Sequence, residues 1–366
     1  MAPPVLLHCF PTFEVGGSQI RFCQLANQFG GQFRHLIVPM DGAISAAARL
    51  ESHVPYELVP VEIPKNNTLH NVLMLRRVLK DLKPDRLITY NWGAIEWAMA
   101  NLLVGLPHLH IEDGFGPEER SAQKPQRMMI RRLVLSWRSQ VILPSRTLYE
   151  SALTQWKLPK KRVFYVPNGI DCQRFTQAPD AALVASLRQR PDDVVVGIVA
   201  ALRDVKNIPR LIDAIAQVTL PQTVRLVVVG EGVEKEAIEA HATARGIRDR
   251  VILTGAIKDP ARILAGFDVF ALSSDTEQMP YSILEAMATG LPIASVDVGD
   301  IKTMVSAANR PYVNGQDAAS LAVSLGELLR QPALRHEIGQ ANQAQAVALY
   351  DQAQMFERYF DVFTGL

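Results

Sequence analysis

Short apolar runs alternate with amphipathic stretches along most of the chain. VLLHCF (5–10) is followed by the helical period of RFCQLANQF (21–29) and then by HLIVPM (35–40), an alternation that predicts a parallel sheet flanked by helices. RLITYN (86–91), LPHLHIED (106–113) and SQVILPS (139–145) supply further strands, and helices are predicted over 71–82 and 95–105. A polar stretch with two prolines over 172–192 interrupts the pattern and predicts a lobe boundary. A second series then begins, with strands predicted at VVVGIVAAL (194–202), VRLVVVGEG (224–232), VILTG (251–255), FDVFALSS (267–274) and LPIASVD (291–297). The last stretch, from 318, is helical in period and is expected to reach back to the first lobe. The expected fold class is α/β, two doubly wound Rossmann-like domains facing across a cleft. The expected bounds are 1–172 for the first domain, 173–345 for the second, and 346–366 for a helix crossing back.

Length supports two domains, since 366 residues exceed what one hydrophobic core usually serves. With 48% hydrophobic and 20% charged residues and a net charge of +1, the composition excludes a disordered chain and gives no reason to expect a nucleic-acid partner. Cys9, Cys23 and Cys172 lie far apart without a CxxC pair, which argues against a disulfide framework and a zinc site and suits a reducing compartment. No run approaches the ~20 apolar residues of a membrane-spanning helix. A cytoplasmic protein, peripheral at most, is expected.

The most informative segment is SSDTEQMPYSILEAMATGLPIAS (273–295), a strand end, a polar loop and a helix stopped by Gly290 and Pro292. Glu277 lies in the loop, and Glu285 follows eight positions later among apolar neighbours. Carboxylates accept hydrogen bonds from vicinal hydroxyls, and the free N–H groups of a helix start suit phosphates. A nucleotide sugar offers both, so Met279, Pro280, Tyr281 and Ser282 are expected at the pyrophosphate, with Glu277 toward the sugar and Glu285 toward the ribose. In AALRDVKN (200–207), Arg203 and Lys206 follow a strand and suit the charge of a departing diphosphate. Gly16 and Gly17 precede a helix where backbone can approach a ligand. The dinucleotide pattern GxGxxG is absent there and at VVVGEGVEKEA (227–237), which weakens an NAD-binding reading.

The spacing of Glu277 and Glu285, the text EAMATGLPIAS (285–295) and the string VPNGIDCQRF (166–175) resemble the retaining GT-B glycosyltransferases of family 4. The resemblance implies that Glu277 contacts the donor sugar and Glu285 the ribose, and that Arg203 and Lys206 bind the diphosphate. It also implies that Gly230 and Thr254 border the base, that the loop of Gly16 and Gly17 sits under the donor's phosphates and lines the acceptor side, and that 1–172 is the acceptor-side domain and 173–345 the nucleotide-sugar-binding one. One departure is Gln278, where the family commonly has glycine. A second lies in HLHIEDGFGPEE (108–119), where the family carries a histidine aimed at the donor sugar: Asp113 or Glu112 falls at that place, with His110 as the alternative.

The implied function is transfer of a hexose, with retention, from a UDP- or GDP-sugar to a glycan, lipid or lipid-linked acceptor. No cofactor beyond the nucleotide sugar is expected, nor a metal, since no DxD pair stands out. A nucleotide-sugar epimerase or a non-catalytic nucleotide-binding scaffold of the same architecture is the alternative. Lys124, Arg127, Arg131, Arg132 and Arg138 interleave with apolar residues over 124–138, which suggests contact with an anionic membrane surface.

Overall fold

The computed structural model describes residues 2–64, 67–115, 119 and 122–364. The chain divides into two compact units, Met1–Pro167 with Phe356–Leu366, and Asn168–Met355. The first unit holds seven parallel strands: β1 (Val5–Phe10), β2 (Arg34–Pro39), β3 (Tyr56–Leu58), β4 (Arg86–Tyr90), β5 (His108–Ile111), β6 (Ser139–Leu143) and β7 (Val163–Tyr165). They are ordered β3-β2-β1-β4-β5-β6-β7. Its helices are α1 (Gly17–Phe29), α2 (Thr68–Leu82), α3 (Ile95–Leu102), α4 (Pro125–Leu135) and α5 (Arg146–Thr154). Alternate residues of the central strands face two different layers. Leu7, Cys9, Leu36 and Val38 join the aliphatic cluster that includes Leu75 and Leu79 of α2. On the other face His8, Phe10 and His35 meet Phe22 of α1, and the Tyr90 ring lies against His8 and Phe10.

The second unit repeats the arrangement. Strands β8 (Val194–Val199), β9 (Val224–Val229), β10 (Val251–Gly255), β11 (Val269–Leu272), β12 (Ile293–Val296) and β13 (Val313–Asn314) run parallel in the order β10-β9-β8-β11-β12-β13. Its helices are α6 (Ala181–Ser186), α7 (Ile208–Gln217), α8 (Lys235–Ala244), α9 (Ala261–Leu264), α10 (Tyr281–Thr289), α11 (Ile301–Met304), α12 (Ala318–Arg330) and α13 (Pro332–Tyr350). Val227 and Val229 of β9 enter one core cluster and Leu226 and Val228 the other. That double burial explains why these strands appear in sequence as unbroken apolar runs. In both sheets the order reverses beside the first strand, between β1 and β4 and between β8 and β11. Ligands of doubly wound sheets bind outside the strands' carboxyl ends at such a reversal.

The polar stretch over 172–192 is not a boundary. Phe175 and Leu187 are buried in the second unit's core, and Asp180 caps α6 by accepting from the Leu183 N–H. The division falls between Pro167 and Asn168, because Asn168 is already bonded inside the second unit, to Met279. At the other end the chain changes units between Met355 and Phe356, within α14 (Gln352–Thr364), rather than at 346. Phe356, Phe360 and Phe363 of α14 surround Phe29 of the first unit, with ring centroids 5.5–6.4 Å away. The strands β3, β7 and β13 had no sequence expectation: at three, three and two residues they are too short to show a period.

Candidate active site

In the second unit the predicted residues collect on one edge of the sheet. The chain leaves β8 through Arg203 into a turn of 3-10 helix over Asp204–Lys206, and Asn207, in the left-handed region at φ 44°, caps α7 by accepting from the Arg210 N–H. It leaves β11 through Ser273–Pro280 into α10. The two loops are tied together. The Asp275 N–H donates to the Val205 carbonyl (2.8 Å), the Ser273 hydroxyl to the Lys206 carbonyl (3.0 Å), and the Arg210 guanidinium to the Asp275 carboxylate and the Ser273 carbonyl (both 2.8 Å). Across this frame the Lys206 ammonium meets Glu277 Oε1 at 2.5 Å, and the Ser274 hydroxyl donates to the same oxygen at 2.8 Å. Their side chains are 25% and 12% exposed, so the pair is partly shielded but still open to a ligand. Arg203 is exposed and makes no ion pair among the described residues.

Gly299, which the sequence did not single out, shapes the Glu277 loop. It sits at φ 57°, and a Cβ there would lie 2.4 Å from the Glu277 carbonyl oxygen and 2.6 Å from that of Gln278. The Asp300 N–H donates to the same Gln278 carbonyl. Helix α10 starts after Pro280, which offers no side-chain cap. Of the remaining predictions, Met279 is buried, its sulfur accepting from the Asn168 N–H and its carbonyl from the Asn168 side chain. Its side chain is therefore structural. Tyr281, Ser282 and Glu285 are half-buried on the first two turns of α10. Gly230 follows β9 so close to the chain leaving β8 that a Cβ would come within 1.9 Å of the Ala200 carbonyl oxygen. Thr254 lies in β10, its hydroxyl donating to the Gly255 carbonyl at 2.9 Å. Arg203, Lys206, Gly230, Thr254, Glu277 and the start of α10 thus share the carboxyl edge of β8, β9, β10 and β11.

In the first unit the corresponding edge holds Gly16 and Gly17 at the start of α1, and Asp113 after β5. The structure separates the three alternatives near Asp113. His110 and Glu112 are fully buried and bonded to each other at 3.2 Å. His110 also meets the Thr89 hydroxyl, which contacts His108 in turn, and Glu112 accepts from the Arg131 guanidinium at 3.1 and 3.3 Å. Burial would raise the Glu112 carboxyl, but the His110 hydrogen bond and the Arg131 charge outweigh it and hold it below its usual range. Neither side chain reaches solvent. Asp113 is 19% exposed, and its carboxylate receives both terminal nitrogens of Arg21, at 2.6 and 2.8 Å.

Arg131 corrects the expectation of an evenly basic face on α4. It is fully buried, its guanidinium 4.9 Å from the ring centres of Trp92 and Trp156 and 5.5 Å from that of Phe115, and it pairs with Glu112 and Glu119. Arg127 likewise pairs with buried Glu119. Lys124, Arg132 and Arg138 remain exposed, beside exposed Met129, Leu133 and Trp137. No described helix is long and apolar enough to cross a membrane.

The family model for glycosyltransferase family 4 matches residues 15–174, and that for glycosyl transferases group 1 matches residues 181–345. The chain belongs to the GT-B glycosyltransferases of the family 4 type. A GDP-mannose-dependent alpha-mannosyltransferase of Mycobacterium tuberculosis is 34% identical over 170 residues, 45% of this chain and 41% of that protein. A D-inositol 3-phosphate glycosyltransferase of Xylanimonas cellulosilytica is 32% identical over 183 residues, 46% and 43% of the two chains. This family member therefore aligns with less than half the length of either relative. The crystal structure of Anabaena Alr3699/HepE in complex with UDP-glucose superposes with a TM-score of 0.83 at 19% identity, covering 99% of this chain and all of that one. At that identity the likeness establishes the GT-B fold alone.

Arg21, Arg210, Gly299 and Asn91, whose side chain accepts from the Asp113 N–H at 2.7 Å, escaped the sequence analysis. The only available signal was a lone arginine, in an otherwise amphipathic helix, whose position in α1 is buried.

Proposed function

We propose that this chain transfers a hexose, with retention, from a UDP- or GDP-sugar to a hydroxyl of a glycan, lipid or lipid-linked acceptor. The observation that carries the proposal is the Lys206–Glu277 pair, 2.5 Å apart at the point where the second sheet's strand order reverses. An ammonium and a carboxylate so placed match the two ends of a sugar diphosphate. Lys206 has three donors and gives one to Glu277, so the others are available to the diphosphate. Exposed Arg203 adds a second cation, and the N–H groups opening α10 add dipoles of the same sign. Glu277, steadied by Lys206 and Ser274, accepts from the sugar's hydroxyls, and Glu285 from the ribose.

As the bond from the anomeric carbon to the phosphate oxygen breaks, the acceptor oxygen bonds to that carbon on the same face. The acceptor's proton passes to the departing phosphate. The residues bind, orient and stabilise charge, and none becomes covalently attached. The relatives' names, which include a GDP-mannose-dependent mannosyltransferase, and the neighbour crystallised with UDP-glucose support a nucleotide-sugar donor without choosing the base. The same reading takes the protein as cytoplasmic and metal-independent, with the exposed residues of 124–138 resting on an anionic inner membrane surface.

Thermal shift against UDP, GDP and their common sugars, followed by donor consumption with the best ligand, tests the proposal. A stabilising nucleotide whose sugar is consumed is expected, with Glu277→Gln sparing nucleotide binding and suppressing consumption. Failure of every nucleotide to raise the Tm sinks it.

A further inference from the structure

Lys206 and Glu277 sit on two separate loops, and side chains outside the pair hold those loops together. Asn207, the residue after Lys206, uses its side chain twice. Its Oδ1 accepts from the Arg210 N–H and caps α7, while its Nδ2 donates at 2.9 Å to Asp275 Oδ1, two residues before Glu277. The Arg210 guanidinium completes the join from the first turn of α7. One terminal nitrogen donates to the same Asp275 oxygen and the other to the Ser273 carbonyl, each at 2.8 Å. The fork therefore grips the loop before Glu277 at two points, one backbone and one side chain, and points away from no ligand group of its own. Arg210 is also the more enclosed partner, 15% exposed against 34% for Asp275. An ion pair so shielded holds its geometry better than one in open solvent.

We propose that Arg210 is a positioning residue: with Asn207 and Asp275 it clamps the two loops so that Lys206 and Glu277 stand at the separation one sugar diphosphate requires. It touches no reacting atom and acts through the pair. The inference rests on the transferase reading above, and every residue in it belongs to the second unit.

Two measurements test it, on the unaltered chain, Arg210→Lys, Arg210→Met, Asp275→Asn and the Arg210→Met/Asp275→Asn double variant. The first is hydrogen exchange without ligand, read on peptides spanning 203–207 and 273–280. In Arg210→Met the Asp275 amide, which donates to the Val205 carbonyl, is expected to exchange about tenfold faster, with β8 and β9 unchanged. The second is consumption of UDP-glucose, UDP-N-acetylglucosamine and GDP-mannose without acceptor. The kcat of Arg210→Met is expected to fall about tenfold to a hundredfold, with the donor KM moving less than about threefold, because misplacement is felt most where the bond breaks. Arg210→Lys keeps the charge without the fork and should fall between Arg210→Met and the unaltered chain. The double variant should be about as slow as the slower single variant, since both residues serve one clamp. Unchanged exchange in both peptides overturns the clamp whatever the activity. A lower Tm with kcat retained, or losses that multiply in the double variant, overturns the positioning role while the transferase reading stands. No consumption of any donor by the unaltered chain overturns that reading and the positioning role with it.

Discussion

Glu277 is 12% exposed and Lys206 25%, so each depends on the other more than a surface pair would. Lys206→Met removes the charge from the diphosphate's expected place and leaves Glu277 without its cation. Donor consumption should fall about a hundredfold or more, and nucleotide affinity, read by calorimetry, should fall with it. Gly299 acts on the same loop through its missing side chain. In Gly299→Ala the new Cβ would stand 2.4 Å from the Glu277 carbonyl oxygen, and alanine must also hold φ 57°. A loss of about 1–3 kcal/mol in denaturant unfolding is expected, together with weaker nucleotide binding; an alanine variant that matches the parent in both refutes this account of the loop. Histidine burial sets the acid limit. Burial holds His8 well below its usual range, lowers His35 to about 4 and lowers His108 to about 3, the neighbouring histidine adding to the effect in His8 and His108. These rings bind fewer protons folded than unfolded, so their contribution is complete above about pH 6.5 and is lost as pH falls toward 4. Tm measured from pH 8 to pH 4 should decline over that window.

Two helices show how an element's pattern acquires meaning from its neighbours. Helix α10 was legible almost completely: the loop before it, the glycine stop at Gly290 and the buried stripe Ile283, Leu284, Ala286 and Met287 are all local properties of one short segment. Helix α4 was not. Its run of cations read as one basic face, but the sheet and the Trp92, Trp156 and Phe115 rings draw Arg131 inward, and Glu119 takes Arg127. What remains outside is a stripe of Met129, Leu133 and Trp137, 57%, 61% and 77% exposed, beside Lys124, Arg132 and Arg138, with no acidic residue between 122 and 140. Flotation with vesicles of phosphatidylethanolamine and phosphatidylglycerol should therefore recover the protein. Trp137→Ala/Leu133→Ala and Arg132→Glu should each weaken recovery; equal recovery of all three proteins would remove the membrane contact.

Each unit of the molecule has its own sheet and cores, and apart from Gly16 and Gly17 the residues assigned to the nucleotide lie in the second. Hydrogen exchange with and without saturating UDP or GDP should place the largest protection at 200–207, 230–232 and 273–285. Protection confined to the first unit would contradict the assignment. That both sheets are parallel and flanked by helices was implied by the alternation of apolar runs and helices, whereas the strand order and the point of division were not. A polar, proline-bearing stretch looks like a linker in one dimension, but Phe175 and Leu187 bury it in the second unit.

What the sequence determined by itself was whatever depends on near neighbours in the chain: buried strands, helix starts and stops, and the Glu277–Glu285 spacing that marks the family. Tertiary structure alone decided partnerships across long separations. Arg21 is 92 residues from Asp113, Lys206 is 71 from Glu277, and Arg131 is 19 from Glu112. Periodicity reports which way a side chain faces relative to its own element, and a charge in an apolar stripe says only that a partner is needed. Which carboxylate is sealed and which stays open follows from the packing of separate elements, and no local pattern encodes that.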